Sequence, residues 1–156
     1  MSELYGTIQK TIDQYFTSLD EIFAKKSIES ASRARTDDCT FTIAPASFLR
    51  DNGMPPDHKL TNEQRAGYMK SQFPAMDHAE SESVQTVIDA HTKTAVVQKR
   101  NHITLVNGKS ITTECAVFLW FTDDGTKVKK IVQFTDTAET KKYLGMVKEA
   151  IQELNA

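Results

Sequence analysis

Two side chains that could move a proton or hold an oxyanion lie two residues apart in the second half of the chain, at Arg100 and His102. Imidazole has an unperturbed pKa near neutrality, so His102 is the best candidate for a general acid or base. A guanidinium at Arg100 could hold a developing oxyanion. Residues two apart in a strand share one face of the sheet, and two neighbouring cations would favour a neutral, basic histidine.

The elements that must position these side chains follow an order of helices first and strands later. Apolar residues recur every three or four positions after Leu4, which predicts an amphipathic helix. Turn signals at Asn107-Gly108 and Asp123-Asp124-Gly125 predict two hairpins. The predicted helices are 4–25, 27–35, 61–73 and 138–154, the predicted strands are 39–43, 81–88, 94–105, 111–122 and 127–135, and 44–60 is a long loop.

The hairpin turns also predict which side chains share a face. A two-residue Asn107-Gly108 turn places Arg100 opposite Cys115 and His102 opposite Thr113. A three-residue second turn places Gln133 opposite Cys115, whereas a two-residue turn would bring Phe134 and Lys130 to that face instead. With the first register, the pocket face carries His102, Arg100, Thr113, Cys115, Val117, Leu119, Ile131, Gln133 and Thr135.

Apolar residues from the helices and the first strand could close a pocket over that face. The candidates for its wall are Phe41, Tyr68, Met69 and Phe73. The opposite face would carry Ala95, Val97, Phe118 and Trp120, which are too apolar to remain in water. We therefore expect a homodimer that buries Val97, Phe118 and Trp120.

Several segments resemble the fungal SnoaL-like family. These are Arg33 to Cys39, Ile43 to Phe48, Leu60 to Gln64, Glu114 to Leu119 and Ile131 to Asp136, and their order along the chain matches as well. The resemblance implies one domain over residues 1–156 in the α+β class. Its fold would be that of nuclear transport factor 2 and ketosteroid isomerase, a curved antiparallel sheet with N-terminal helices that form a cone-shaped pocket.

The resemblance also implies a cofactor-independent isomerase or cyclase of fungal secondary metabolism, acting by acid–base chemistry on a small polycyclic intermediate. Meroterpenoid isomerases and indole-alkaloid semipinacolases are the relatives that it resembles. They use a pocket arginine whose position is held here by Arg35, and a last-strand carboxylate whose position is held by Gln133. Relatives also have histidine and tyrosine where this chain has Phe41 and Cys115. Glutamine cannot titrate, so either the proton-transfer role lies elsewhere or the protein mainly binds and shapes a ligand.

Composition limits the classes of partner. With 19 Lys+Arg against 21 Asp+Glu, the chain lacks the positive charge of a nucleic-acid binder. The apolar run Ala116 to Phe121 is far shorter than the ~20 residues of a membrane span. Cys39 and Cys115 form no CxxC pair, and the histidines show no metal-ligand spacing, so neither a disulfide nor a metal is expected. Met1 to Leu4 begins no signal peptide, which predicts a cytoplasmic protein.

Two alternatives to an isomerase or cyclase remain open from the sequence. The first is a non-catalytic module that binds a small molecule or assembles as a dimer. The second is an epoxide hydrolase, which needs a carboxylate to activate water, and the predicted pocket face of the last strands offers none.

Overall fold

A long helix, a five-stranded sheet and a C-terminal helix make up most of the fold, which a computed structural model describes for residues 2–156. The helices are α1 (Glu3–Lys25), α2 (Ala46–Asp51), α3 (Asn62–Gln72) and α4 (Thr137–Leu154), with a 3-10 turn at Phe73–Ala75. The strands are β1 (Arg35–Ala44), β2 (Met76–Asp89), β3 (Thr94–Leu105), β4 (Ser110–Phe121) and β5 (Val128–Thr135).

The helix boundaries follow from their capping residues. The Thr61 hydroxyl accepts from the Gln64 backbone N–H while the Gln64 side chain accepts from the Thr61 N–H, so a capping box begins α3. At α4 the Asp136 carboxylate caps the helix by accepting from the Glu139 N–H at 3.2 Å, so the helix begins at Thr137, one residue before the predicted start.

The predicted helix over 27–35 was wrong. Residues 27–34 form successive turns, with hydrogen bonds such as Ala31 N–H to Ile28 O at 3.0 Å. A helix this short is marginal on its own, whereas Arg35 gains strand pairing by lying opposite Val128. The first strand therefore begins at Arg35, and the predicted long loop after it contains the short helix α2.

The sheet has the strand order β1-β5-β4-β3-β2. β1 pairs with β5 in parallel, and the other neighbouring strands are antiparallel. This curved, open sheet with helices against it confirms the predicted α+β class.

The first hairpin has a different register from the predicted one. Its loop contains Val106 as well as Asn107 and Gly108, because Leu105 N–H donates to Lys109 O at 2.8 Å. Gly108 has a φ of +84° and closes the turn, which is the three-residue geometry rather than the two-residue one. His102 consequently pairs with Thr112, and a one-residue slip turns every side chain of β3 to the other face.

In the second hairpin two local irregularities each shift the strand pairing by one residue, so together they leave the side chains of β5 beyond the second irregularity on their predicted faces. The Thr122 N–H donates to Lys127 O, which makes the loop four residues long, 123–126, instead of three. An extra residue, Lys129, then interrupts the pairing between β4 and β5. Gln133 therefore pairs with Val117 rather than Cys115, yet it still lies on the predicted face.

The core lies between the concave face of the sheet and the helices. Ile8 and Ile12 on the buried face of α1 belong to one cluster with residues of β1, β3, β4 and β5, such as Phe121 of β4. α4 packs through Tyr143 and Val147 against the ends of β3 and β4. These two clusters leave a space between them, which contains the cavity described below.

No helix among residues 2–156 is both long enough and apolar enough to cross a membrane.

Candidate functional site

A cavity of about 550 Å³ opens between the concave sheet face and the helices. Its wall is mainly apolar, as in pockets for small organic molecules. Helices α1 to α4, strands β1 to β5 and the segment between α2 and α3 all contribute side chains to it. The apolar side chains include Phe16, Leu19, Phe23, Phe41, Ile43, Phe48, Leu49, Met54, Leu60, Met69, Met76, Ile103, Val117 and Leu144.

The structure places eight of the predicted site residues in the wall of this cavity. They are Phe41, Tyr68, Met69, Thr113, Cys115, Val117, Gln133 and Thr135. Three others are outside it and belong to the packed core, because Leu119 and Ile131 pack under α1 and Phe73 packs against α3. Predicting these three as wall residues was therefore wrong, although each is buried as expected.

His102 and Arg100 lie on the outer face of the sheet, which corrects their predicted place in the pocket. Arg100 donates from Nε to Glu114 Oε1 at 2.9 Å and from Nη1 to Glu82 Oε1 at 2.7 Å. His102 Nδ1 is 3.0 Å from Thr112 Oγ1, and its side chain is exposed. The register of the first hairpin is the cause, since it turns both side chains away from the cavity.

Arg35 is also absent from the cavity wall, contrary to what the family resemblance implied. It is 2% exposed and lies beneath α1, with its guanidinium carbon 4.9 Å from the centre of the Tyr15 ring. Nη2 is 3.4 Å from Ser18 Oγ, while Nε and Nη1 have no hydrogen-bond partner among residues 2–156. Burial lowers the pKa of Arg35 to about 10.

The arginine that does line the cavity is Arg65 of α3, which is 8% exposed. Its guanidinium carbon lies 3.8 Å from the centre of the Phe41 ring, and Nη1 donates to the Tyr15 hydroxyl at 2.6 Å. That is the one side-chain hydrogen bond of Arg65 within residues 2–156. A guanidinium has five N–H donors, so Arg65 retains donors for a ligand.

A second cation reaches the cavity from β3, at Lys99, which is 5% exposed. Its Nζ lies 4.3 Å from the centre of the Phe16 ring and donates to Ser83 Oγ at 3.1 Å. Burial lowers the pKa of Lys99, and the carboxylate of Asp20 opposes that shift. Asp20 lines the same cavity from α1 and keeps contact with solvent. Burial raises its pKa, and the charge of Lys99 partly offsets the rise.

The uncharged polar groups of the wall lie mainly on the neighbouring strands. Asn101 Nδ2 is 3.5 Å from Thr113 Oγ1, and the Gln133 amide lies two strands away in the same wall. Cys115 is buried beside them, and burial raises the pKa of its thiol to about 11, so it remains protonated at neutral pH. The cavity thus offers hydrogen-bond donors beside the cations Arg65 and Lys99, and its lining also includes the carboxylates of Asp20 and Glu80.

Near α4 the wall carries a second polar cluster. The Tyr143 hydroxyl donates to Gln72 Oε1, and burial raises the pKa of Tyr143 well above its usual range. The hydroxyls of Thr135 and Thr140 are 2.7 Å apart in the same region of the wall. A polycyclic ligand could therefore meet polar groups at both ends and apolar side chains between them.

Sequence reasoning missed Arg65, Lys99, Asn101 and Asp20 as site residues. In β3 the signal was available, because Lys99 and Asn101 lie at two-residue spacing between the buried residues Val97 and Ile103 and so share their face of the strand. Asp20 lies between Phe16 and Phe23 on α1, at helical spacing that brings all three to the cavity. Arg65 gave no comparable signal, since α3 is polar along most of its length.

No group of three His, Cys, Asp or Glu side chains within residues 2–156 is arranged to hold a metal ion.

The fold is that of the proteins related to nuclear transport factor 2, and solved structures of this class superpose over most of the chain. BvnE pinacolase from Penicillium brevicompactum aligns with a TM-score of 0.77 and 17% identity over 94% of each chain. PrhC from Penicillium brasilianum NBRC 6234 aligns with 0.67 and 18% identity, covering 90% of this chain and 93% of its own. An NTF2-like protein from Burkholderia pseudomallei gives 0.64 and 16%, covering 90% and 95%. No protein-family model and no curated protein matches the sequence.

Proposed function

We propose that the protein is an isomerase or cyclase that rearranges a small polycyclic natural-product intermediate by acid–base chemistry, without a cofactor. The observation that carries this proposal is the cavity itself. It is apolar and about 550 Å³ in volume, and it brings Arg65, Lys99 and Asp20 to one ligand-sized space. The similarity in fold to an enzyme named as a pinacolase supports the same class of reaction.

Each polar group has a role in the proposed reaction. Arg65 and the Gln133 amide donate hydrogen bonds to the carbonyl or alkoxide oxygen of the substrate, which stabilises the negative charge that develops there. Lys99 adds positive potential in its ammonium form. Asp20 transfers the proton, since it is the α1 carboxylate that lines the cavity and its raised pKa makes it a better base than an ordinary carboxylate.

The experiment is incubation of the purified protein with a panel of polycyclic ketones, hydroxyketones and epoxides, followed by product analysis. We expect one or more members to rearrange, with kcat reduced roughly 100-fold by Asp20→Asn, as for loss of a general acid or base. Asp13→Asn is the matched control, because Asp13 is an exposed carboxylate of α1 that is bonded to Gln9 and does not line the cavity. Equal turnover by wild type and the Asp20 variant would refute the assignment of Asp20.

Asp20 also bears on the epoxide-hydrolase alternative, since it supplies the cavity with a carboxylate that the predicted pocket face of the last strands lacked. A hydrolase would add water across the epoxide, so incubation in H₂¹⁸O would place the label in the product. An isomerase or cyclase gives an unlabelled product of unchanged mass, which is the result that we expect.

We also propose that a second copy of the chain covers the outer sheet face. Val97 was wrongly predicted there, since it is 0% exposed and faces the core. Phe118 and Trp120 do face outward, and Phe134 and Val87 extend the apolar surface at 50% and 57% exposure. Apolar area of this kind favours association, and an isologous sheet-to-sheet contact would bury the patch of both copies.

A further inference from the structure

Lys99 differs from the other lysines in the polarity of its surroundings. Nζ lies over the Phe16 ring in an apolar cavity, and Ser83 Oγ is its one side-chain hydrogen-bond partner among residues 2–156. The lysines that form ion pairs within those residues are Lys25, Lys93 and Lys109, each bonded to a surface carboxylate. An amine that lacks a close carboxylate and has lost most of its water is poorly stabilised as an ammonium ion.

The surroundings of Lys99 also supply what an amine needs to react with a carbonyl group. Removal from water lowers the pKa of Lys99, which favours the free-amine form relative to that of an exposed lysine. Asp20 lines the same cavity, and each of the two charges opposes the effect of burial on the pKa of the other. A carboxyl group with a raised pKa can deliver a proton to a leaving oxygen.

We propose that Lys99 captures an aldehyde or ketone in the cavity as a covalent imine. The Nζ lone pair forms a bond to the carbonyl carbon, and the π electron pair moves to the oxygen. A proton then passes from nitrogen to that oxygen and gives a carbinolamine. Protonation of its hydroxyl by the carboxyl group of Asp20 releases water, and loss of a second nitrogen proton to the Asp20 carboxylate leaves the neutral imine.

The cavity also limits the carbonyl compounds that can be captured. Phe16, Phe41 and Val117 form apolar parts of the wall, so the body of the ligand should be apolar and preferably aromatic or polycyclic. A volume of about 550 Å³ admits a ligand of several rings. The carbonyl carbon must be unhindered, because Lys99 approaches from a buried strand. This capture goes beyond the acid–base rearrangement and does not depend on it.

The test uses 2-naphthaldehyde as the probe and sodium cyanoborohydride to reduce the imine to a stable secondary amine. Whole-protein mass spectrometry follows the reaction at neutral pH, and peptide mapping locates the modified lysines. We expect Lys99 to be modified before any other lysine, with a rate that saturates as the probe concentration rises. Lys148 of α4 is the internal reference, since it is exposed and does not line the cavity.

Two controls separate capture in the cavity from general amine reactivity. Lys99→Arg retains the positive charge and removes the nucleophile, so the saturable phase should disappear while Lys148 is modified at its original rate. Lys99→Met provides a second variant if the arginine does not fit, and circular dichroism checks the fold of both. 2-Naphthalenemethanol lacks a carbonyl, so it should slow modification of Lys99 alone by occupying the cavity.

Modification of Lys99 at or below the rate of Lys148 in folded wild-type protein would overturn the proposal. The same is true of a Lys99 rate that rises without saturation and does not respond to the alcohol. The outcome is independent of the acid–base function. Rearrangement of a substrate by wild-type protein whose Lys99 is not modified by the aldehyde would leave that function intact, whereas imine capture without any rearrangement would leave only the covalent chemistry.

Discussion

At the scale of single residues, Arg65 and Tyr15 form a buried pair that should be strongly coupled. Tyr15→Phe leaves the Arg65 guanidinium without its side-chain acceptor, which should cost about 1–3 kcal/mol of unfolding free energy. The same substitution in an Arg65→Met background should cost little, because the bond is already absent. Urea unfolding of the two single variants and the double variant measures the coupling.

Tyr5→Phe is the matched control for this cycle, since Tyr5 lies on the same helix and is less buried than Tyr15. We expect it to change stability by less than about 0.5 kcal/mol. Additive effects of Tyr15→Phe and Arg65→Met would show that the two side chains do not stabilise each other.

The two buried thiols should make the protein less stable in alkaline solution. Burial raises the pKa of both Cys39 and Cys115 from 9.0 to about 11. The folded state therefore holds these protons longer than the unfolded state. Stability is fully present below pH 9 and is lost as the pH rises towards 11, by on the order of 2 kcal/mol for each thiol.

Urea unfolding between pH 8 and pH 11 tests this loss. Lys99 acts in the opposite direction, because its lowered pKa makes the folded state release a proton earlier. Cys115→Ala should flatten the pH dependence whatever its effect on stability at pH 8. An unchanged slope in that variant would show that the Cys115 thiolate forms as readily in the folded protein as in the unfolded one.

At the scale of elements, two glycines with similar backbone angles should respond differently to alanine. Gly108 has a φ of +84° and Gly125 a φ of +73°, so alanine is strained at both. A Cβ at Gly108 would meet nothing within 4 Å, whereas one at Gly125 would lie 2.8 Å from Leu4 Cδ1. Because this overlap lies where the second hairpin supports α1, it adds to the backbone strain.

We therefore expect Gly125→Ala to lower the unfolding free energy by about 1–3 kcal/mol more than Gly108→Ala. Chemical denaturation of the two variants gives the difference directly, with backbone strain largely cancelled. Equal losses would mean that α1 moves away from the turn at no cost.

The hairpins explain why the strands could be predicted from the sequence, while the side chains of β3 that face the cavity could not. An Asn-Gly pair suits a two-residue turn and also a three-residue turn whose last residue is left-handed. Val106 looks like the end of a strand, yet it belongs to the loop and is 42% exposed. Because the loop is one residue longer, the pairing of β3 with β4 shifts by one residue. Lys99 and Asn101 therefore face the cavity, and Arg100 and His102 face outward. In β5 two such irregularities cancelled, so Gln133 was placed correctly on the inner face.

At the scale of the whole molecule, we expect the oligomeric state to respond most strongly to a charge introduced on the outer sheet face, where the proposed dimer forms. A dimer has twice the 17.5 kDa mass of the chain, and Phe118→Glu should make it dissociate into single chains. The reason is that the contact between the two copies would bury the new carboxylate. Light scattering after size-exclusion chromatography measures the mass. Leu154→Glu is the control, since Leu154 is 55% exposed on α4, away from the sheet. A wild-type protein that elutes as one chain at every concentration would exclude the dimer.

The overall architecture could be predicted because it depends on patterns spread over many residues. The stripe of α1, the capping box at Thr61 and the alternation of β4 are each specified locally, and the chain has the fold that its family resemblance implied. The site depends on tertiary position. Arg35 and Arg65 are both buried cations next to Tyr15, and only the packing of α3 decides which one faces the cavity.

The central claim is that the cavity changes its ligand and does more than bind it. The most direct test is a single-turnover experiment with protein in excess over a polycyclic ligand that raises the melting temperature. The ligand and any product are extracted and resolved by mass spectrometry over time, without added cofactor. We predict that wild type converts the ligand to an isomer, while Asp20→Asn binds it and returns it unchanged. Recovery of the unchanged ligand from the wild-type protein, despite full binding, would contradict the account and identify a binding module.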